Sequence, residues 1–368
     1  LNSKNRNNCK RIIKYQIGCL IWRLNPILNL KTKMKKPALG TLAFILLLAS
    51  CQKPLTEQTE PIIAEEQQTI SHRKCASQDV LEAQIAADPS RRDRLQQIEA
   101  FTQKAIRSGV TARLAADGFI EIPVVVHVVY NTASQNINDA QVKSQIDVLN
   151  EDFQNLNADA GNLPANSFQS VASTGMNVRF VLENTIRKNT KTRSFSTNDW
   201  VKSTARGGSD PVDPANKLNI WSCNLSNGVL GYAQFPGGSL STDGVVILFS
   251  AFGSRAKYPT GTYTTTYDLG RTGTHEVGHW MNLRHIWGDD NGACTGSDIV
   301  TDTPNQGGAN YGCPSFPKIS CGNGTTGDMF MNYMDYTDDK CMYMFSEGQK
   351  NRALAIFTSG GARAAMGK

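Results

Sequence analysis

His275-Glu276-Val277-Gly278-His279-Trp280-Met281-Asn282-Leu283-Arg284-His285 holds three of the chain's five histidines. Positions i and i+4 of a helix share a face, so His275 and His279 point the same way. Two neutral imidazoles on one face suit Zn²⁺, which they bind at about 2.0–2.1 Å. A continuing helix would carry His285 roughly 240° away from that face. The helix is therefore expected to end near Asn282 and turn sharply back. Asn is, after Gly, the residue that best tolerates the left-handed conformation of such a turn. Three protein ligands leave a fourth position for water, as in catalytic rather than structural zinc. Glu276 cannot share the face of the two helical ligands. It can reach a water on the metal, take its proton as the water attacks a carbonyl, and return that proton to a leaving amine.

Outward from this stretch, strand and helix patterns alternate. Phe119 to Tyr130 is apolar and β-branched, as a buried strand is. Asn138 or Asp139 can cap a helix whose Val142, Ile146, Leu149, Phe153 and Leu156 share one face. Val178 to Leu182, Lys217 to Cys223 and Val245 to Phe249 read as further strands, and Gly231 to Phe235 as a short edge strand. The alternation predicts an α/β architecture with a mostly parallel sheet. Residues 286–345 hold four Cys with many Gly and Asp and little periodicity, which reads as a loop-rich, cross-linked subdomain. A last helix is expected from about Ser346 to Phe357.

The N-terminal part is of another kind. The whole chain has 38 Lys/Arg against 32 Asp/Glu. Residues 1–36 hold 10 of the basic residues and no acid; without them 28 stand against 32, a net −4. The basic excess belongs to this leader and gives no case for nucleic-acid binding. The first methionine is Met34. From there a basic head, the apolar run Leu42 to Leu48 and Leu48-Ala49-Ser50-Cys51 read as a bacterial export signal. Its ending resembles a lipobox, which makes Cys51 the expected lipidated residue, anchored to a membrane without spanning it. Residues 1–33 read as upstream sequence outside the native protein, and 34–50 as the lipoprotein signal peptide. Residues 51–115 read as a tether and pro-segment with two helices, about Gln78 to Ala87 and Ser90 to Ile106. The second carries Leu95, Ile98, Phe101 and Ile106 on one stripe. Arg107 and Arg113 are expected in a loose stretch open to proteolytic nicking. The catalytic domain follows as 116–285 and 286–368.

HExxHxxNxxH resembles the metzincin motif HExxHxxGxxH, with Asn282 at the usual Gly position. Asn332-Tyr333-Met334-Asp335-Tyr336 resembles the Met-turn of those enzymes. The resemblance narrows to the pappalysin family, in its bacterial cytophagalysin-like branch. It rests on His-Glu-Val-Gly-His-Trp, on Leu218-Asn219-Ile220-Trp221 followed by Gly231-Tyr232-Ala233-Gln234-Phe235-Pro236, and on Asn332 to Cys341. It covers about Phe119 to Phe357. The resemblance implies a metzincin-like fold with a mixed, mostly parallel twisted sheet, an active-site helix and the cross-linked C-terminal subdomain. It implies a zinc endopeptidase acting on proteins or peptides, with His275, His279 and His285 as ligands and Glu276 as general base. Met334 would lie under the metal, and the Tyr336 phenol would stabilise the oxyanion. Strand Gly231 to Phe235 would bind extended peptide by strand addition.

Four Cys allow three pairings, and spacing alone does not choose among them. The resemblance implies Cys294–Cys321 and Cys313–Cys341, in an exported protein where disulfides persist. Cys223 is expected to be a buried thiol. Cys75 lies between Lys74 and Ala76-Ser77, and a thiolate beside basic residues is a good zinc ligand. Relatives use a Cys near here to fill the fourth zinc position and keep the zymogen latent; their Cys-Gly-Thr is Cys-Ala-Ser in this chain. Gly288-Asp289-Asp290 and Ser297 to Pro304 offer hard oxygen ligands suited to Ca²⁺, with Asp298, Thr301 and Thr303 the best candidates. Past the Met-turn, Asp338, Asp339 and Lys340 should wall the pocket for the residue after the scissile bond. Their mixed charges favour and oppose basic side chains at once. The alternative to an enzyme is a catalytically inactive surface-binding lipoprotein on the same fold, disfavoured by the presence of Glu276 and all three His.

Overall fold

A computed structural model describes residues 70–109, 118–290 and 292–366. The expected leader, signal peptide, Cys51 and Arg113 lie outside the described residues. Five strands form one sheet in the order β2-β1-β3-β5-β4. β1 (Ile120–Tyr130), β2 (Val178–Asn189), β3 (Leu218–Cys223) and β5 (Val245–Leu248) run parallel. β4 (Gly231–Ala233) is antiparallel to β5 and forms an edge. The mixed, mostly parallel sheet expected from the alternation is the one formed.

β1 is an interior strand: five of its residues are Val, and all but Glu121, Pro123 and Tyr130 are buried. Pro123 cannot donate to a ladder. It sits one residue before β1 begins to pair with β3, at Val124, so the missing N–H faces no partner strand on that side. β2 continues seven residues past the Leu182 expected from its apolar run. As an edge strand it is exposed on one flank, and polar Asn184 to Asn189 are tolerated there.

Two helices pack on the sheet and on each other, α3 (Asp139–Phe153) and α4 (Arg271–Trp280). Asn138 caps α3, its side chain accepting from Gln141 N at 2.9 Å. Val142, Ile146, Leu149 and Phe153 are buried as their spacing requires. Leu156 is a correction: α3 ends at Phe153, and Leu156 is 68% exposed. Three residues beyond the last turn, it no longer follows the helical period.

The pro-segment helices are α1 (Ser77–Ala87) and α2 (Arg91–Ser108). α1 lies against β4, and α2 against α5 (Glu347–Ala355). The stripe Leu95, Ile98, Phe101 and Ile106 is only half-buried; Arg91, Thr102 and Ala105 form the buried face of α2. Arg107 lies in its last turn, exposed, rather than in a loose stretch. α5 starts in a capping box of Ser346 and Gln349. Between α4 and α5 the chain is almost all loop, held by Cys294–Cys321 and Cys313–Cys341. No described helix is long and apolar enough to cross a membrane.

Leu149 and Leu156 separate helix periodicity from real burial. In urea unfolding of the full chain, Leu149→Ala should cost about 2–5 kcal/mol. Leu156→Ser should change stability by less than about 0.5 kcal/mol. Equal losses from the two would mean that Leu156 packs in the core.

Candidate active site

α4 presents His275 and His279 from one face and stops at Trp280. Asn282 takes the left-handed conformation, φ 73°, and the chain reverses to bring back His285. The Nε2 atoms of the three imidazoles lie 3.0, 3.1 and 3.3 Å apart. Each Nδ1 has a separate acceptor: Tyr333 O at 2.7 Å for His275, Leu283 O at 2.9 Å for His279 and Asp289 Oδ1 at 2.7 Å for His285. With Nδ1 donating, the Nε2 lone pairs converge. Burial pushes the His275 and His279 imidazoles well below the usual range, so they are neutral. Bonds of about 2.0–2.1 Å to one tetrahedral ion would set its nitrogens about 3.3–3.4 Å apart. The donor set and its spacing therefore fit zinc.

Cys75 Sγ and the three imidazoles are all within 4.8 Å of one another. Burial, and next the charge of Glu276, push the Cys75 thiol well above its usual range. Glu276 is 1% exposed, and its Oε2 accepts from Ser77 Oγ at 2.8 Å and from the Cys75 thiol at 3.3 Å. Burial raises the Glu276 carboxyl to about 7 in spite of those two bonds. β4 passes directly over this carboxylate: a Cβ on Gly231 would stand 2.7 Å from Glu276 Cγ. On the other side a Cβ on Gly278 would stand 2.5 Å from Met334 Sδ, so the fully buried Met334 packs straight against the helix backbone. Tyr336 Oη donates to Cys75 O at 3.3 Å, and its ring meets His285 edge-on.

Residues 73–76 lie in the cleft against β4. Ala76 N donates to Gly231 O at 3.1 Å and Leu230 N to Lys74 O at 2.9 Å, in a parallel bridge. Extended backbone sends alternate side chains one way, and Arg73 and Cys75 both point into the body; Ser77, the first residue of α1, is buried beside them. Arg73 is 1% exposed. It donates to Asp339 Oδ1 at 2.5 Å, to Thr272 Oγ1 at 3.1 Å and to Thr337 O at 3.3 Å, with Tyr267 beneath its guanidinium. Asp338 is half-buried and Lys340 exposed, so of the three charges past the Met-turn only Asp339 faces Arg73.

Reading the sequence missed Arg73, Ser77 and Asp289 as parts of this site. Arg73 carried a signal: it precedes Cys75 at two-residue spacing, as neighbours on one face of an extended strand do, whereas Ser77 opens α1. Away from the cleft, Thr303 Oγ1 donates to Asp298 Oδ2 at 2.8 Å, and burial raises the Asp298 carboxyl to about 7. Thr301 is exposed and apart from them. Asp302 instead serves α5, accepting from Ser346 Oγ at 2.6 Å and Gly348 N at 2.7 Å. Cys75 and Cys223 are the free, buried cysteines among the described residues.

Comparison with known proteins places this arrangement. The peptidase M43 family model, described as pregnancy-associated plasma protein-A, matches residues 209–357. An extracellular metalloprotease of Trichophyton verrucosum is 30% identical over 259 residues, covering 69% of this chain and 82% of that protein. One of Pyricularia oryzae is 32% identical over 272 residues, covering 70% and 85%. The structure of mature mirolysin from Tannerella forsythia, in complex with a cleaved peptide, is 49% identical with a TM-score of 0.64, covering 67% of this chain and 95% of that one. A promirolysin mutant of the same organism is 45% identical with a TM-score of 0.71, covering 80% and 96%. The chain belongs to the pappalysin, or M43, family of metalloproteases.

Proposed function

We propose that this metalloprotease is an exported zinc endopeptidase, made as a zymogen that its own residues 73–77 hold latent. The observation that carries the reading is the convergence of Cys75 Sγ on the three imidazole nitrogens while Ser77 occupies Glu276. His275, His279 and His285 would hold the ion, with Cys75 as fourth ligand in the latent form. When bound, zinc supplies a Lewis acid for the scissile carbonyl and lowers the pKa of a nearby water.

The chain's own residues supply the rest. Once Ser77 leaves, Glu276 Oε2 is free to accept a proton from the attacking water and pass it to the departing amine. Tyr336 Oη, released from Cys75 O, becomes a donor for the developing oxyanion. β4 binds the substrate backbone as it binds residues 74–76. Asp339 receives a basic side chain from the substrate where Arg73 now lies. A planar guanidinium on a buried carboxylate gives a strong, directional contact. This favours Arg or Lys after the scissile bond, since Lys340 turns to solvent and does not oppose it.

The domain limits expected from the sequence belong to the same reading: signal 34–50, pro-segment 51–115 and catalytic domain from 116. Export ends in a lipid anchor at Cys51. Ca²⁺ takes Asp298 and the oxygens around it, in a set that includes Thr303 and not the Thr301 side chain; a buried carboxylate without a cation is costly to ionise.

Three measurements test this. The first is a mixed peptide library digested by activated protein and read by mass spectrometry. Glu276→Ala should lose all cuts. Cys75→Ser should cut without an activation step. Asp339→Asn should lower the preference for Arg and Lys by about tenfold or more, the effect of one charged hydrogen bond. Cuts surviving Glu276→Ala, or unchanged latency in Cys75→Ser, would sink the corresponding role. The second is cell fractionation, where Cys51→Ser should move the protein from membrane to soluble fractions; no movement would refute the anchor. The third is thermal unfolding, where calcium should raise the midpoint of wild type and not of Asp298→Asn. An equal rise in both would remove the assigned calcium site.

A further inference from the structure

The pro-segment also meets the catalytic body at a second place. Glu99 on α2 accepts from both terminal nitrogens of Arg352 on α5, Nη1 at 2.9 Å and Nη2 at 2.6 Å. The Arg352 side chain is 1% exposed and that of Glu99 23%. Arg352 Nε donates to Asn282 O at 2.8 Å, on the turn before His285. A second guanidinium, Arg284, stands close enough to feel the charges of Arg352 and Glu99. Its Nε is buried with no hydrogen-bond partner among the described residues. Asp289 and Asp298 lie within electrostatic reach of Arg284, and Asp298 of Arg352. Among the described residues Glu99 is the one acid that pairs with Arg352. The buried Arg352 guanidinium thus holds one carboxylate, the pro-segment brings it, and the half-buried Arg284 adds a second positive charge nearby.

A cavity of about 440 Å³ lies between Ile98, Phe101 and Thr102 of α2 and Gly237, Ile356 and Gly360 of the body; Thr102 is one helical turn from Glu99, and Ile356 one turn from Arg352. When α2 leaves, the body keeps a forked cation beside an apolar surface. A buried guanidinium without its carboxylate is strongly unfavourable, and its planar fork matches a carboxylate in two-point contact.

We propose that Arg352 forms a carboxylate-binding site on the catalytic body, filled by Glu99 in the latent chain and by an acidic side chain of a protein substrate after activation. The occupant is a polypeptide segment that also lies in the cleft. The pro-segment joins the two places in one chain, from Cys75 at the imidazoles and its bridge to Gly231, by way of α1 and α2, to Glu99. Short peptides cannot reach both, so the site discriminates among long substrates and adds nothing for short ones. This rests on the reading that the pro-segment departs on activation.

The site itself is tested without cleavage, in the full chain. With Glu99→Ala, sodium acetate should raise the unfolding midpoint saturably, beyond sodium chloride of equal ionic strength. Wild type, whose site is filled, should respond alike to the two salts. The same acetate response in both proteins would overturn the site, whether or not the chain is a protease. If Glu99→Ala fails to fold, Glu99→Asp serves: its shorter carboxylate should be rescued by acetate where wild type is not, and no rescue overturns the proposal. The occupant is tested on activated wild type, with a synthetic peptide of residues 90–109 as competitor. The peptide should raise the KM of an acidic protein substrate and leave cleavage of short peptides unchanged. The same peptide with Glu99→Lys should compete about tenfold more weakly. Equal competition by both peptides, or by neither, would overturn the occupant.

Discussion

Three imidazole nitrogens lie within 3.3 Å of one another inside the protein, and the surrounding chain is organised to hold them there. Neutral lone pairs so close repel, so the ring positions have to be imposed from outside. Each ring is held at its other nitrogen by a different part of the fold. Tyr333 belongs to the loop closed by Cys313–Cys341, Leu283 to the turn itself and Asp289 to the segment beyond. Such outer contacts fix both tautomer and ring direction. The turn is held in its own right. Asn282 accepts a left-handed backbone, and Arg352 reaches across from α5 to its carbonyl. Met334 can support the helix from below only because Gly278 has no side chain. Sheet, Met-turn and last helix are therefore parts of one support.

The strand that fills the cleft engages three unlike features with three alternate side chains. Arg73 enters a charged pocket, Cys75 faces the imidazoles and Ser77 caps the carboxylate. The period of two on extended backbone sets Arg73 and Cys75 on one side, and the turn into α1 at Ser77 adds the third, so a segment of five residues is enough to address all three. The arrangement also divides labour. The backbone bonds to β4 carry no side-chain information, while the side chains read pocket, nitrogens and carboxylate separately. The pocket at Asp339 holds a guanidinium, that of Arg73.

Much of this was legible in the sequence because the decisive residues are near one another in it. The spacing from His275 to His285 requires a helix that breaks, and Asn282 marks where. The strands were legible as runs of Val and Ile, since central parallel strands are buried on both faces. Their ends were less so. β2 runs on through polar residues because an edge strand does not need apolar ones, and Leu156 lost the helical period once α3 stopped. The contacts that stayed hidden are long-range. Arg73 and Asp339 are 266 positions apart, and no local pattern joins them. Nor does composition say which of Asp338, Asp339 and Lys340 turns inward; a single short turn at 339–341 decides it. The pairing of four cysteines was likewise not readable from spacing, and came from family likeness.

The position of β4 has one more effect. A short strand at the border of a sheet offers unsatisfied backbone donors and acceptors to any extended chain that passes, including another copy of the same protein. Here Gly231 O and Leu230 N are already engaged by residues 74–76 of the same molecule. The contact that closes the cleft thus also conceals a template for association between molecules. Removal of residues 74–76 from the cleft would uncover that border and leave the protein in a more adhesive form.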